Sequence, residues 1–161
     1  MSSEPEQKPG YDFWGNYSGG IDKKGRVQIP ADFFTGFSKN DQEFVWVRKG
    51  IGNVKGYLEI WPQSANEKLK EETKKIEDIE KRKQMLRGYA SLGRPCKLDN
   101  QGRLVIPQDY RALFGHNDEV VWLGIEQVIE LWPKSHFEAS ENTLADSANM
   151  VKQEEQKKFT V

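Results

Sequence analysis

Two short segments carry residue types and spacing suited to meeting a charged ligand. Asp22-Lys23-Lys24-Gly25-Arg26 and Asp99-Asn100-Gln101-Gly102-Arg103 share the pattern Asp-x-x-Gly-Arg. The glycine permits a positive φ and the aspartate accepts hydrogen bonds from the backbone amides that follow it, so each segment reads as a four-residue turn between strands. An arginine leaving such a turn offers a fork of donors for a phosphate or a guanine edge, and a lysine offers a compact positive charge. Basic hairpin tips of this kind suit contact with duplex DNA. Lys23, Lys24 and Arg26 outweigh Asp22 in the first segment, and Arg94, Lys97 and Arg103 outweigh Asp99 around the second. The aspartates read as turn caps. The arginines admit two readings, ligand contact or an ion pair with the aspartate of their own turn.

No other group of residues offers comparable chemistry. Cys96 lies between Pro95 and Lys97, has no counterpart in the first segment's surroundings, and reads as a structural thiol. A single cysteine closes no intrachain disulfide, and with only His116 and His136 beside it there is no zinc-ligand spacing. Both histidines read as solvated surface residues. Glu59 and Glu130 alternate with apolar neighbours and read as the outward face of half-buried strands. No glycine-rich phosphate loop followed by lysine is present. The expectation is a protein that is not an enzyme, with no cofactor and no metal. With 24 Lys and Arg against 25 Asp and Glu, the net charge is -1, so any pull toward a polyanion must come from local clustering. No window is apolar enough to span a membrane, and residues 1–10 lack the apolar core of a signal peptide, which points to the cytoplasm.

The two turns belong to a longer internal repeat. Ile21 to Pro30 matches Leu98 to Pro107, Glu43-Phe44-Val45-Trp46 matches Glu119-Val120-Val121-Trp122, and Leu58-Glu59-Ile60-Trp61-Pro62 matches Ile129-Glu130-Leu131-Trp132-Pro133. The first copy has extra residues, placed in the glycine-bearing stretch 49–56, which reads as a longer hairpin loop. Each copy predicts strands around 17–21 and 27–29 joined by the turn, then a short helix after Pro30 or Pro107 that stops near Gly36 or Gly115. A hairpin follows, 43–48 with 56–61 and 119–124 with 128–132. Four of the five tryptophans are repeat members, Trp46 with Trp122 and Trp61 with Trp132, and read as core.

Ser64-Ala65-Asn66-Glu67 and Ser135-His136-Phe137-Glu138 fit a capping box, so a helix closes each copy. The first is expected over about 66–89, with Leu69, Ile76, Ile79, Leu86 and Tyr89 on one stripe, and the second over about 136–158 with Phe137, Leu144, Ala148 and Val151. Residues 1–12 read as a disordered extension, 13–92 as the first repeat and 93–161 as the second. Neither copy alone buries a sufficient core, so the two are expected to pack as one pseudo-symmetric unit.

Gly15-Asn16-Tyr17-Ser18, Ile21 to Pro30, Tyr57 to Pro62, Arg87-Gly88-Tyr89-Ala90, Leu98 to Pro107 and Val128 to Trp132 closely resemble the MraZ family. The resemblance implies an α+β, strand-rich fold in which two tandem AbrB-like swapped-hairpin repeats form a pseudo-symmetric, double-ψ-like β-barrel unit with peripheral helices. It implies a transcriptional regulator of the bacterial division and cell-wall gene cluster that binds repeated promoter sites on double-stranded DNA as a homo-oligomer, in the manner of a ring, on the nucleoid. Carried over position by position, its motif residues here are Asp22 and Arg26 in the first copy and Asp99 and Arg103 in the second; with the turn residues between them, Lys23, Lys24, Asn100 and Gln101, they make up the expected DNA-binding set. Because the neutral Asn100 and Gln101 stand where the first turn has two lysines, the first copy is expected to dominate binding. The alternative is an antitoxin-like or scaffold module of the same fold that binds another protein.

Overall fold

The computed structural model describes residues 10–51, 56–115 and 118–159. Residues 1–9, residues 52–55 of the 49–56 insert and His116 therefore lie outside the described residues. The strands are β1 (Phe13–Gly20), β2 (Arg26–Gln28), β3 (Phe44–Lys49), β4 (Leu58–Pro62), β5 (Gly93–Lys97), β6 (Arg103–Val105), β7 (Glu119–Glu126) and β8 (Val128–Pro133). The helices are α1 (Ala31–Phe34), α2 (Gln63–Lys74), α3 (Ile79–Leu92), α4 (Gln108–Arg111), α5 (Lys134–Ala139) and α6 (Glu141–Phe159).

Six strands form an antiparallel sheet in the order β1-β7-β8-β4-β3-β5, and β2 pairs with β6 in a separate ribbon. Exchanging the two copies turns the sheet order into its own reverse, so the internal repeat becomes an approximate two-fold passing between β4 and β8. The copies are interleaved rather than side by side. β1 of the first copy pairs with β7 of the second along its whole length. β5 of the second copy pairs with β3 of the first.

This exchange corrects the expected local hairpins at the two basic turns. β1 does not pair with β2, and only the isolated bridges Ile21–Val27 and Leu98–Leu104 close the turns. The ladder partners come from the other copy: β2 pairs with β6, and β1 with β7. Among the described residues the pairing gives a sheet and a ribbon linked at these bridges, and it does not extend to a closed barrel.

Alternation explains the layers. Val27, Ile29, Leu104 and Ile106 turn inward from the ribbon and its flanks, each no more than 1% exposed. They meet Val45, Val47, Leu58, Ile60, Val120, Trp122, Ile129 and Leu131 from one face of the sheet in a single core cluster. Phe33, Phe37, Tyr110 and Phe114 from the two α1 and α4 regions fill its ends. Each such side chain contributes about 1.5–3 kcal/mol on burial. Pro30 and Pro107 end the ribbon strands, since neither can donate to the ladder, and each starts a short helix.

Several local expectations are overturned. The first closing helix is two helices, because Asp78 accepts the Lys81 amide at 3.1 Å and so begins a new helix at Ile79. Ile79 consequently lies exposed rather than on a continuous stripe. Likewise the second closing helix divides at Ser140, whose Oγ donates to the Phe137 carbonyl at 2.6 Å. Ser64 does not cap its helix: α2 starts one residue earlier, after Pro62. Its amide and Oγ both donate to the buried carboxylate of Asp41. Nor does Ser135 cap α5, which starts after Pro133 with no side-chain cap. Tyr11, expected within the extension, instead stacks on Phe13 and donates from Oη to Asp41 at 2.8 Å, because an aromatic ring beside Phe13 and Phe37 has apolar surface to bury.

Glu59 and Glu130 do not simply face solvent. They stand opposite each other on adjacent strands. Glu59 is 7% exposed and accepts from Arg48 Nε at 2.7 Å and Trp61 Nε1 at 2.9 Å. Glu130 accepts from Trp132 Nε1 at 3.0 Å, and burial, together with the facing Glu59, raises its pKa above the ordinary carboxylate value. Trp122 is in the core cluster as expected, and Trp132 is buried as well, but stacked on Tyr57 on the other face of the sheet, which the half-buried Trp46 and Trp61 also cover.

Candidate nucleic-acid interface

The two Asp-x-x-Gly-Arg turns have the same internal wiring. Asp22 Oδ1 accepts the amides of Lys24 and Arg26 at 2.9 and 2.8 Å, and Asp22 Oδ2 accepts Arg26 Nε at 2.6 Å. Asp99 Oδ1 accepts the amides of Gln101 and Arg103, each at 2.9 Å, and its Oδ2 accepts Arg103 Nε at 2.7 Å. Gly25 and Gly102 adopt φ of 79° and 76°, the left-handed region that the turn requires. The aspartate therefore caps the turn as expected, and of the two readings open for the arginine the structure shows the ion pair with its own aspartate.

That ion pair orients the arginine without consuming it. Only Nε is engaged, and among the described residues the terminal amino groups of Arg26 and Arg103 have no protein partner. Donation from the Arg26 amide first, and then from its guanidinium, lowers the Asp22 pKa. The Arg103 amide, followed by its guanidinium, does the same for Asp99. The support each carboxylate gives its turn is thus present above the ordinary carboxylate pKa and lost as pH falls through the lowered value.

Tertiary structure brings the two arginines onto one surface. In the β2–β6 ribbon Arg26 stands opposite Val105 and Gln28 opposite Arg103. Val27 and Leu104 are buried, so by alternation Arg26, Gln28, Arg103 and Val105 all point outward. Arg26 and Arg103 are diagonal neighbours, about 7–8 Å apart along the ribbon face. Because the strands are antiparallel, the turns lie at opposite ends. The candidate surface is therefore one ribbon face bounded by two turns rather than two separate hairpin tips, and a two-stranded ribbon is a shape that the DNA major groove admits.

Lys23, Lys24, Asn100 and Gln101 are exposed at the ribbon ends. Arg94, counted with the second turn in the sequence, is committed elsewhere: it pairs with Asp109 and lies 4.8 Å over the Tyr110 ring. The second end is thus less basic than the sequence tally implies. Gln28, Val105 and Arg111 belong to this region and were missed in the sequence reading. Strand alternation from Arg26 and Arg103 could have found the first two, whereas nothing local signals Arg111.

The remaining candidates lie apart. Cys96 is buried, and burial pushes its thiol up to about 11, which suits packing rather than nucleophilic attack. His136 is not a solvated ring, since its Nδ1 donates to the Gly56 carbonyl at 2.9 Å. Among the described residues no three His, Cys, Asp or Glu side chains are grouped as a metal site needs. No helix there is long and apolar enough to cross a membrane.

The family described as "MraZ protein, putative antitoxin-like" matches residues 13–88 and 94–160, the two copies in turn. The chain belongs to the MraZ family. Proteins named transcriptional regulator MraZ are similar along most of its length. The one from Acetivibrio thermocellus is 32% identical over 140 residues, covering 84% of this chain and 92% of the relative. That from Lachnoclostridium phytofermentans is 29% identical over 128 residues, covering 80% and 86%. The one from Bacteroides fragilis is 29% identical over 128 residues, covering 78% and 80%. MraZ membership thus extends across the turns, the ribbon and the sheet alike.

Proposed function

We propose that this chain is a transcriptional regulator that binds promoter DNA through the outward face of the β2–β6 ribbon and the turns at its ends. One observation carries the reading: Arg26 and Arg103 share one exposed face, each pre-oriented by its own aspartate, with the terminal amino groups directed to no protein partner. Pre-orientation lowers the side-chain entropy lost when a base edge or phosphate is engaged. The names of the MraZ relatives support the regulatory role. The targets are repeated sites upstream of the division and cell-wall gene cluster, and the bound protein resides on the nucleoid. Because the chain's net charge is -1, one ribbon binds weakly, and a homo-oligomeric ring supplies affinity by aligning several ribbons with repeated sites.

The test is fluorescence anisotropy on duplex DNA from upstream of the protein's own gene against a shuffled duplex, at several salt concentrations. Wild type should prefer the genuine duplex, with affinity falling as salt rises, and the double substitution Arg26→Ala with Arg103→Ala should abolish the preference. Equal binding of both duplexes by wild type and the double variant would refute it. The antitoxin-like wording of the family description favours a second reading, a protein-binding module. A folded protein that ignores both duplexes at low salt would support that reading instead.

A further inference from the structure

The two turns occupy equivalent places in the repeat, yet the opposite copy braces them with different chemistry. At the second turn, the Gln101 carbonyl accepts from Gln28 Nε2 at 2.6 Å. Phe34 packs against Gly102, where a Cβ would fall 2.7 Å from the ring. At the first turn, the corresponding Lys24 carbonyl accepts from Arg111 Nη2 at 2.7 Å. The same guanidinium packs against Gly25, where a Cβ would fall 2.3 Å from Arg111 Cζ. The backbone bonds around the turns are alike, Ile106 N to the Gly25 carbonyl at 2.8 Å and Ile29 N to the Gly102 carbonyl at 3.1 Å. Only the side-chain bracing differs.

We propose that Arg111 is a positioning residue for DNA binding, reaching across from the second copy to aim Lys23, Lys24 and Arg26 at the phosphate backbone. This inference rests on the DNA-binding reading above. Arg111 Nε also donates to the Ile106 carbonyl at 3.0 Å, so one planar group ties the first turn to the chain leaving β6. A rigid fork holding two carbonyls fixes their relation in a way that a lone ammonium does not. At the other end Gln28 Nε2 spans the equivalent pair, the Gln101 carbonyl at 2.6 Å and the Ile29 carbonyl at 3.0 Å, but through a single neutral amide nitrogen rather than a charged fork. The first end therefore gathers Lys23, Lys24, Arg26 and Arg111 against Asp22, whereas the second has Arg103 against Asp99. In this arrangement the first end grips phosphate and sets the salt dependence, and the second contributes mainly contact from Arg103 and its neutral neighbours.

The experiment uses full-length Arg111→Ala and Arg111→Lys, alone and combined with Arg26→Ala or Arg103→Ala, in anisotropy titrations on the upstream duplex. Hydrogen exchange at the amides of residues 24–26 is followed in the free proteins. Arg111→Ala should weaken binding by about tenfold, the scale of one charge-assisted hydrogen bond. Arg111→Lys keeps the charge and loses the fork, so it should weaken binding nearly as much, and amide exchange should quicken in both. The loss from Arg111→Ala should be strongly non-additive with Arg26→Ala and additive with Arg103→Ala. Full affinity in Arg111→Lys, unchanged affinity in Arg111→Ala, or equal coupling to both arginines would overturn the proposal. Failure of wild type to prefer the genuine duplex would overturn the underlying function, whereas wild-type preference with silent Arg111 variants would overturn this inference alone.

Discussion

Arg26→Ala and Arg103→Ala remove the same side chain from equivalent turns, so their difference measures how far the repeat has diverged in function. Neither change should unfold its turn. In Arg26→Ala the Asp22 carboxylate still accepts the amides of residues 24 and 26, and the Gly25 amide still donates to the Asp22 carbonyl at 2.9 Å. What is lost is the outward fork, worth about 1–3 kcal/mol for a good bidentate contact, or roughly 5- to 150-fold in Kd. Arg26 works beside Lys23, Lys24 and Arg111, while Arg103 has the neutral Asn100 and Gln101 beside it. Arg26→Ala should therefore fall in the upper half of that range and Arg103→Ala in the lower. Removing Arg26 also leaves Asp22 unpaired near phosphate, and adding Asp22→Asn should recover part of the loss. Replacing Lys23 and Lys24 by Gln should flatten the slope of log affinity against log salt by up to about two units per engaged ribbon. The assay is anisotropy on the upstream duplex across a salt series, with thermal unfolding of each variant measured alongside. Equal losses from the two arginine changes, or an unchanged slope without the lysines, would refute the reasoning.

Glu130→Gln keeps an acceptor for Trp132 and removes the charge facing Glu59, so it should stabilise the protein at neutral pH by about 0.5 kcal/mol. Because the folded pKa of Glu130 is raised, wild type recovers this stability as pH falls through that value, and the advantage of the variant should vanish below about pH 4, the ordinary carboxylate range; a pH-independent difference in denaturant midpoint would contradict it. Arg48→Met strips the buried Glu59 of its ion-pair partner and should cost about 3–5 kcal/mol in urea unfolding, with Glu59→Gln restoring part of the loss. Light scattering should give a mass several times 18.6 kDa, and a monomer at micromolar concentration would remove the avidity argument.

The chain's repeat, its turns and its alternating strands are legible in the sequence because they depend on local chemistry. Asp22 and Asp99 cap their turns within five residues, Gly25 and Gly102 supply the positive φ, and Pro30 and Pro107 end strands wherever the chain goes. The helix ends were less legible: Asp78 and Asp41 decide them, one by starting a helix inside an amphipathic run and the other by capping from a distant loop. The hairpins β3–β4 and β7–β8 were legible, being local, but the partners of β1, β2, β5 and β6 were not, because they come from the other copy and only the packing of the whole unit selects them. The same holds for Glu59, whose polar-outward pattern conceals Arg48 on the neighbouring strand. By itself the sequence determined which residues form the two turns and that the second has lost its lysines. The tertiary structure alone decided that Arg26 and Arg103 share one ribbon face and that Arg111 braces only the first turn. Those relations join residues some 77 or more positions apart, and they arise from packing two copies against each other rather than from any local preference of the chain.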